Sequence, residues 1–236
     1  MMAQTGNRRR FVAGLAGLPT ALAGSRWFAP AAAATNSAAT PTVPADQGLQ
    51  MLIEGNKRFV AGTLTSLGNL AQDRDQLTSG QSPFAVVVCC SDSRVPPEIV
   101  FDQTLGQLFV VRTAGQVIDE AARGSIVYGV DYLKAPLLLV LGHSGCGAVE
   151  AALAAIQGSP IPGYAYRFAE GIGPAVQSVL DQPGDQLDNA IRANIAMGVE
   201  QLGTAEPDLS AAVRSGQLTV TGGYYDLASG AVSFLD

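Results

Sequence analysis

Three short apolar runs, FAVVVCC (84–90), LFVVRT (108–113) and PLLLVLGH (136–143), constrain this chain's fold more than any other feature. Each is apolar at consecutive positions, so each is buried on both faces. Helical patterns separate them, as in ARGSIVYGVDYLK, where Ile126, Val127, Val130 and Leu133 recur at helical spacing. Strands of this kind belong in a parallel sheet covered on both sides. The expected fold class is therefore α/β, a mostly parallel central β-sheet flanked by helices. Further helices are expected in GAVEAALAAI, GPAVQSVLD and DNAIRANIAMGVEQL, and the chain closes on two strands joined by a Ser-Gly turn in GQLTVTGGYYDLASGAVSFLD. An N-terminal helical arm is expected through QGLQMLIEGNKRFVAG, capped by Asp46, with Leu49, Leu52, Ile53, Phe59 and Val60 on one face. With 47% hydrophobic and 14% charged residues, one well-buried domain suits the chain and needs no disulfide staples.

The N-terminus reads differently. Residues 1–34 combine a basic stretch at Arg8, Arg9 and Arg10, an apolar stretch from Phe11 to Gly24, and small residues ending at Ala32, Ala33 and Ala34. This is the layout of a signal peptide, with a periplasmic or secreted destination. Arg8, Arg9, Phe11 and Val12 fit the twin-arginine pattern, which exports proteins already folded; an ordinary secretory signal holding three arginines is the alternative. Residues 35–45 read as a linker, and 46–236 as the folded domain. Within that domain no apolar run approaches the ~20 residues of a membrane span. Without the four N-terminal arginines, 10 of the 14 basic residues remain against 20 acidic ones, a net charge of -10. Such a surface repels nucleic acid and anionic lipid.

The chemistry concentrates in two motifs. In VVVCCSDSRVPPE, side chains alternate along an extended chain, so Cys90, Asp92 and Arg94 project to one side and Cys89 to the other. The only histidine, His143, lies in LGHSGCGAV three residues before Cys146. Ligands in open α/β sheets gather beyond the carboxyl ends of strands, where Cys90, His143 and Cys146 can converge. Two thiolates and an imidazole suit Zn²⁺ and leave its fourth position open, the layout of a catalytic site. Arg94 can hold Asp92 in a bidentate fork. Plainer roles exist for each group: a cysteine as a small buried hydrophobe, a disulfide with one spare thiol, an Asp–Arg pair as a surface ion pair. Cys89 reads as core.

Together CSDSRVPPE and GHSGCGAV resemble the β-class carbonic anhydrases, and the likeness extends from EGNKRF through FVVRTAG to GGYYDLASG. The resemblance implies zinc ligands Cys90, His143 and Cys146, a catalytic dyad of Asp92 and Arg94, and substrate-pocket positions Gln81, Phe109 and Gly147. It also implies a homodimer or higher homo-oligomer, with Gln81 reaching across the interface. The substrate pair would be carbon dioxide and bicarbonate. Carbon dioxide is a neutral electrophile, so its hydration needs hydroxide near neutral pH, which bound Zn²⁺ supplies by acidifying water. Two thiolates cancel much of the metal's charge, so that water is expected to be less acidic than the pKa of about 7 found beside three histidines. Thr113 and Gln116 stand where asparagines are common in the family. Val87 stands where some bacterial members carry the tryptophan of an inhibitory bicarbonate site. Two other functions compete on the same scaffold, a carbonyl sulfide or carbon disulfide hydrolase and a non-catalytic zinc scaffold. A thiol redox protein fits less well, because CCSDS lacks Cys-x-x-Cys spacing.

Overall fold

A computed structural model describes residues 43–235. The signal peptide of 1–34 and most of the linker of 35–45 lie outside the described residues. The element order is α1 (Ala45–Val60), α2 (Leu70–Gln76), β1 (Ala85–Cys90), α3 (Pro97–Val100), β2 (Leu108–Thr113), α4 (Glu120–Val127), β3 (Leu137–His143), α5 (Gly147–Ile156), α6 (Tyr166–Gln177), α7 (Gln186–Glu200), α8 (Pro207–Arg214), β4 (Thr219–Tyr225) and β5 (Val232–Phe234). The strands lie in the order β2-β1-β3-β4-β5. All neighbours run parallel except β5, which returns antiparallel on β4 through the turn at Ser229 and Gly230. The three apolar runs are thus adjacent strands, with β2 at the sheet edge, and every residue of β1 and β3 is buried.

Pleating divides these strands between two layers. Val86, Val88, Cys90, Leu138 and Val140 pack with Ile126, Ile172, Ile191 and Ile195 on one face. Ala85, Val87, Cys89, Leu137, Leu139 and Leu141 pack with Leu52, Phe84 and Phe101 on the other. Each of the Val, Leu, Ile and Phe side chains contributes about 1.5–3 kcal/mol when fully buried, which fixes the register: a slip of one residue would exchange the layers. Cys89 and Cys90 accordingly pack in opposite layers, as the alternation predicts.

The arm α1 differs from expectation in detail. It begins at Ala45, with Pro44 in the capping position, and Asp46 lies within the first turn without a side-chain cap bond. Its carboxylate still favours the positive end of the helix dipole. The buried stripe is Gly48, Leu52, Gly55 and Asn56, while Val60 is 50% exposed. Asn56 explains the rotation of that stripe. Its Nδ2 donates to Val100 O and Gly230 O, and its Oδ1 accepts from Val232 N, so a polar residue ties α1 to α3 and to the β4–β5 hairpin. The helical pattern around Val130 continues past α4 as a wide turn, Tyr128–Tyr132, that keeps Val130 and Leu133 buried.

Candidate metal centre

Cys90 is the last residue of β1 and His143 the last of β3, so two adjacent parallel strands end at one place. A tight turn through Gly145 then carries the chain to Cys146, which stands at the N-terminus of α5. The donor atoms of these residues all lie within 4.8 Å of one another. All three side chains are buried. The ring of His143 bonds through Nδ1 to Ser144 O at 3.0 Å, and since a carbonyl only accepts, Nδ1 carries the proton. Nε2 is then a bare lone pair, buried and without any partner. An orphaned acceptor facing two thiols is the arrangement a cation satisfies.

The sulfurs give the same answer. They lie 3.9 Å apart, and tetrahedral zinc with Zn–S bonds of about 2.3 Å separates its sulfurs by about 3.8 Å. Contact with the Cys146 sulfur pulls the Cys90 thiol down against the opposing effect of burial, and the N–H groups of Gly115 and Asp92 lower it further. The same contact, together with burial, pushes Cys146 up. Two buried sulfurs in contact disfavour a second negative charge, and a divalent cation between them allows both to be thiolates. The residues present fit Zn²⁺.

Asp92 and Arg94 form the expected fork. Arg94 Nε donates to Oδ1 at 2.9 Å and Nη2 to Oδ2 at 2.7 Å, while the Arg94 backbone N–H also donates to Oδ1 at 2.9 Å. These bonds, the guanidinium first, hold the Asp92 carboxyl well below the usual carboxylate range. Asp92 is thus an oriented anion whose Oδ2 stands 4.0 Å from His143 Nε2, outside the ligand cluster. One residue absent from the sequence reading organises this loop. Arg112 Nε and Nη2 donate to Cys90 O at 3.0 and 2.9 Å, and Nη2 donates to Asp92 O at 2.6 Å. Its signal in the sequence was a cation inside the apolar run LFVVRT.

The substrate positions divide. Gly147 opens α5 beside Cys146 and is exposed, and Thr113 pairs in register with Cys90. Gln116 is buried, with Oε1 unpartnered. Gln81 and Phe109 are not brought to this cluster within one chain. Gln81 is exposed ahead of β1, and Phe109 pairs with Val86 near the start of β2, four residues or about 13 Å from the metal end. Phe109 there packs on Tyr128 with ring centroids 5.9 Å apart, and Tyr128 stacks on Tyr132 at 5.5 Å.

A family model described as carbonic anhydrase matches residues 85–232, a span that contains every cluster residue. The chain belongs to the β-class carbonic anhydrase family. It is 43% identical over 180 residues to carbonic anhydrase 2 of Mycobacterium tuberculosis, covering 76% of this chain and 87% of that one. It is 41% identical over 182 residues to the carbonic anhydrase of Mycolicibacterium smegmatis, covering 77% and 88%. Among solved structures, that of the β-carbonic anhydrase CcaA is similar at a TM-score of 0.64 and 30% identity, covering 80% of this chain and 87% of that one. Family membership accords with a mostly parallel five-stranded sheet flanked by helices. No helix among the described residues is long and apolar enough to cross a membrane.

Proposed function

We propose that the chain catalyses the reversible hydration of carbon dioxide to bicarbonate and a proton, with Zn²⁺ held by Cys90, His143 and Cys146. The observation that carries this reading is the unpartnered His143 Nε2 facing two thiols, with an Arg94-locked carboxylate 4.0 Å away. Zinc, when bound, supplies hydroxide near neutral pH. The chain's own groups do the rest. Cys90 and Cys146 provide compensating charge. His143 is fixed as the Nδ1–H tautomer by Ser144 O, which aims Nε2 inward. Asp92 Oδ2 would accept a hydrogen bond from the attacking hydroxyl group and so turn an oxygen lone pair toward the substrate carbon. Arg94 keeps that carboxylate ionised, oriented and apart from the ligands. A scaffold holding zinc only for structure has no use for such a fork. A carbonyl sulfide hydrolase would use the same groups, and the ratio of the two activities separates the readings. Stopped-flow assays with both substrates, beside zinc analysis, are expected to give one zinc per chain and hydration as the faster reaction. A zinc-loaded protein that leaves carbon dioxide at its uncatalysed rate overturns the proposal.

The proposed assembly is a homodimer at least. Gln81 and Phe109 lie at the amino ends of β1 and β2, remote from their own cluster, and β2 is an edge strand with exposed Tyr128 and Tyr132 nearby. This supports a second copy that receives both residues in its substrate pocket. Sedimentation showing an active monomer at assay concentration would contradict it. We also propose export of residues 46–236 to the periplasm or beyond by the twin-arginine route, supported by Arg8, Arg9, Phe11 and Val12. Folding before export would protect the ligand thiols by loading them with metal first. Arg8→Lys with Arg9→Lys is expected to retain active enzyme in the cytoplasm, and unchanged export would refute the route.

A further inference from the structure

We propose that Asn194 is a positioning residue for the metal centre, acting through Gly115 on the sulfur of Cys90. The inference rests on the zinc reading above and adds to it a residue far from the motifs. After β2 the chain turns sharply through Ala114, Gly115 and Gln116. Gly115 has φ 64° and ψ 27°, and Gln116 has φ 47°, so two consecutive residues are left-handed. Glutamine is strained there, and such a pair persists only where its surroundings hold it. A side chain at 115 would also crowd Ile172, since a Cβ would lie 2.5 Å from its Cδ1.

The clamp comes from α7. Asn194, 5% exposed, donates from Nδ2 to Gly115 O at 2.9 Å across 79 residues of sequence. Both partners are buried, so water does not substitute for this bond. Pinning the carbonyl fixes the peptide plane after Gly115, and with it the left-handed dihedrals that turn the preceding N–H onto Cys90. That N–H reaches Cys90 Sγ at 3.3 Å, and among the described residues the other backbone donor to this sulfur is Asp92 N at 3.4 Å. The two N–H groups set the direction in which Sγ presents its lone pairs and draw charge from it. Bonds of this outer kind orient a ligand and tune its strength. With Asn194 removed, the turn relaxes and Gly115 N–H leaves the sulfur. Cys90 is then less well aimed, and a more electron-rich donor.

These two consequences have separate readouts. In the full-length Asn194→Ala protein the zinc dissociation constant, measured by competition with a chromophoric chelator, is expected to rise about 10- to 100-fold. In the cobalt(II) form the thiolate-to-metal charge-transfer band is expected to move to lower energy, because an unbonded sulfur gives up an electron more easily. Asn194→Ser, whose hydroxyl stops short of Gly115 O, provides a milder variant and is expected to shift the band in the same direction. Ile191→Val, a buried substitution on the same helix outside the relay, is the control for lost stability. Its band and zinc affinity are expected to match wild type. Asn194 variants that bind zinc as wild type does, with an unmoved band, overturn the inference and leave the zinc reading intact. So do shifts that Ile191→Val reproduces. Wild-type protein that binds neither zinc nor cobalt overturns both.

Discussion

Replacing Arg94 by alanine separates metal binding from catalysis. The substitution deletes both side-chain bonds to Asp92, at 2.9 and 2.7 Å, and leaves only the backbone N–H of residue 94 on Oδ1. It touches no ligand atom, so zinc content is expected to stay at the wild-type level. Stability is also expected to hold. The guanidinium is 57% exposed, and a solvent-screened pair of this kind moves the melting temperature of a chain this size by less than about 4 °C. The lost bonds had depressed the Asp92 carboxyl, so in the variant it rises toward the ordinary value of about 3.9. Asp92 therefore remains ionised at pH 7, and protonation does not account for lost turnover. What disappears is direction, since a carboxylate 4.0 Å from Nε2 becomes free to swing toward the metal position. Removing one preorganised electrostatic group costs about 10²–10³ in kcat, so hydration is expected to fall at least about 100-fold between pH 7 and 9. Arg94→Lys restores the charge without the fork and is expected to recover only part of the rate. Stopped-flow kinetics, zinc analysis and thermal melts on one preparation test all three statements. Near-normal turnover refutes the role of the fork, and lost zinc makes Arg94 a folding residue instead.

Two further outcomes follow from packing and charge. Gly142 precedes His143, and a Cβ there would lie 2.6 Å from Ile195 Cδ1 and Cγ1; Gly142→Ala is therefore expected to cost about 1–3 kcal/mol of stability. In an Ile195→Ala background that cost is expected to vanish, and additive urea-unfolding energies would contradict the contact. Asp102 is fully buried; burial alone would raise its carboxyl, but the Arg58 guanidinium and the N–H groups of Ser66 and Thr65 outweigh it and hold it down at about 2. A carboxyl depressed on folding stabilises the protein above the unfolded value of about 3.9 and loses that contribution as pH falls toward about 2. The stability gap between wild type and Asp102→Asn is therefore expected to shrink across that window, and a gap independent of pH would refute the ion pair.

The parts legible in the sequence are those with a short period. Burial on both faces wrote β1 and β3 as unbroken apolar runs, and the two-residue pleat sent Cys89 and Cys90 to opposite layers. The dyad was legible for the same reason, because Asp92 and Arg94 belong to the loop that continues from Cys90. Asp46 is not the cap because the extended backbone of Pro44 takes the capping position and the helix starts at Ala45, which puts Asp46 inside the first turn. Arg112 and Asn194 were hidden for a different reason. Each acts through a backbone atom of a residue distant in sequence: Arg112 on Cys90 O, Asn194 on Gly115 O. Backbone acceptors carry no side-chain signature, so sequence spacing does not reveal such pairs. The motifs thus state which atoms take part, while the angles at which those atoms meet are set by long-range bonds to the main chain. It follows that substitutions in α7 can alter the metal centre without changing a residue of either motif.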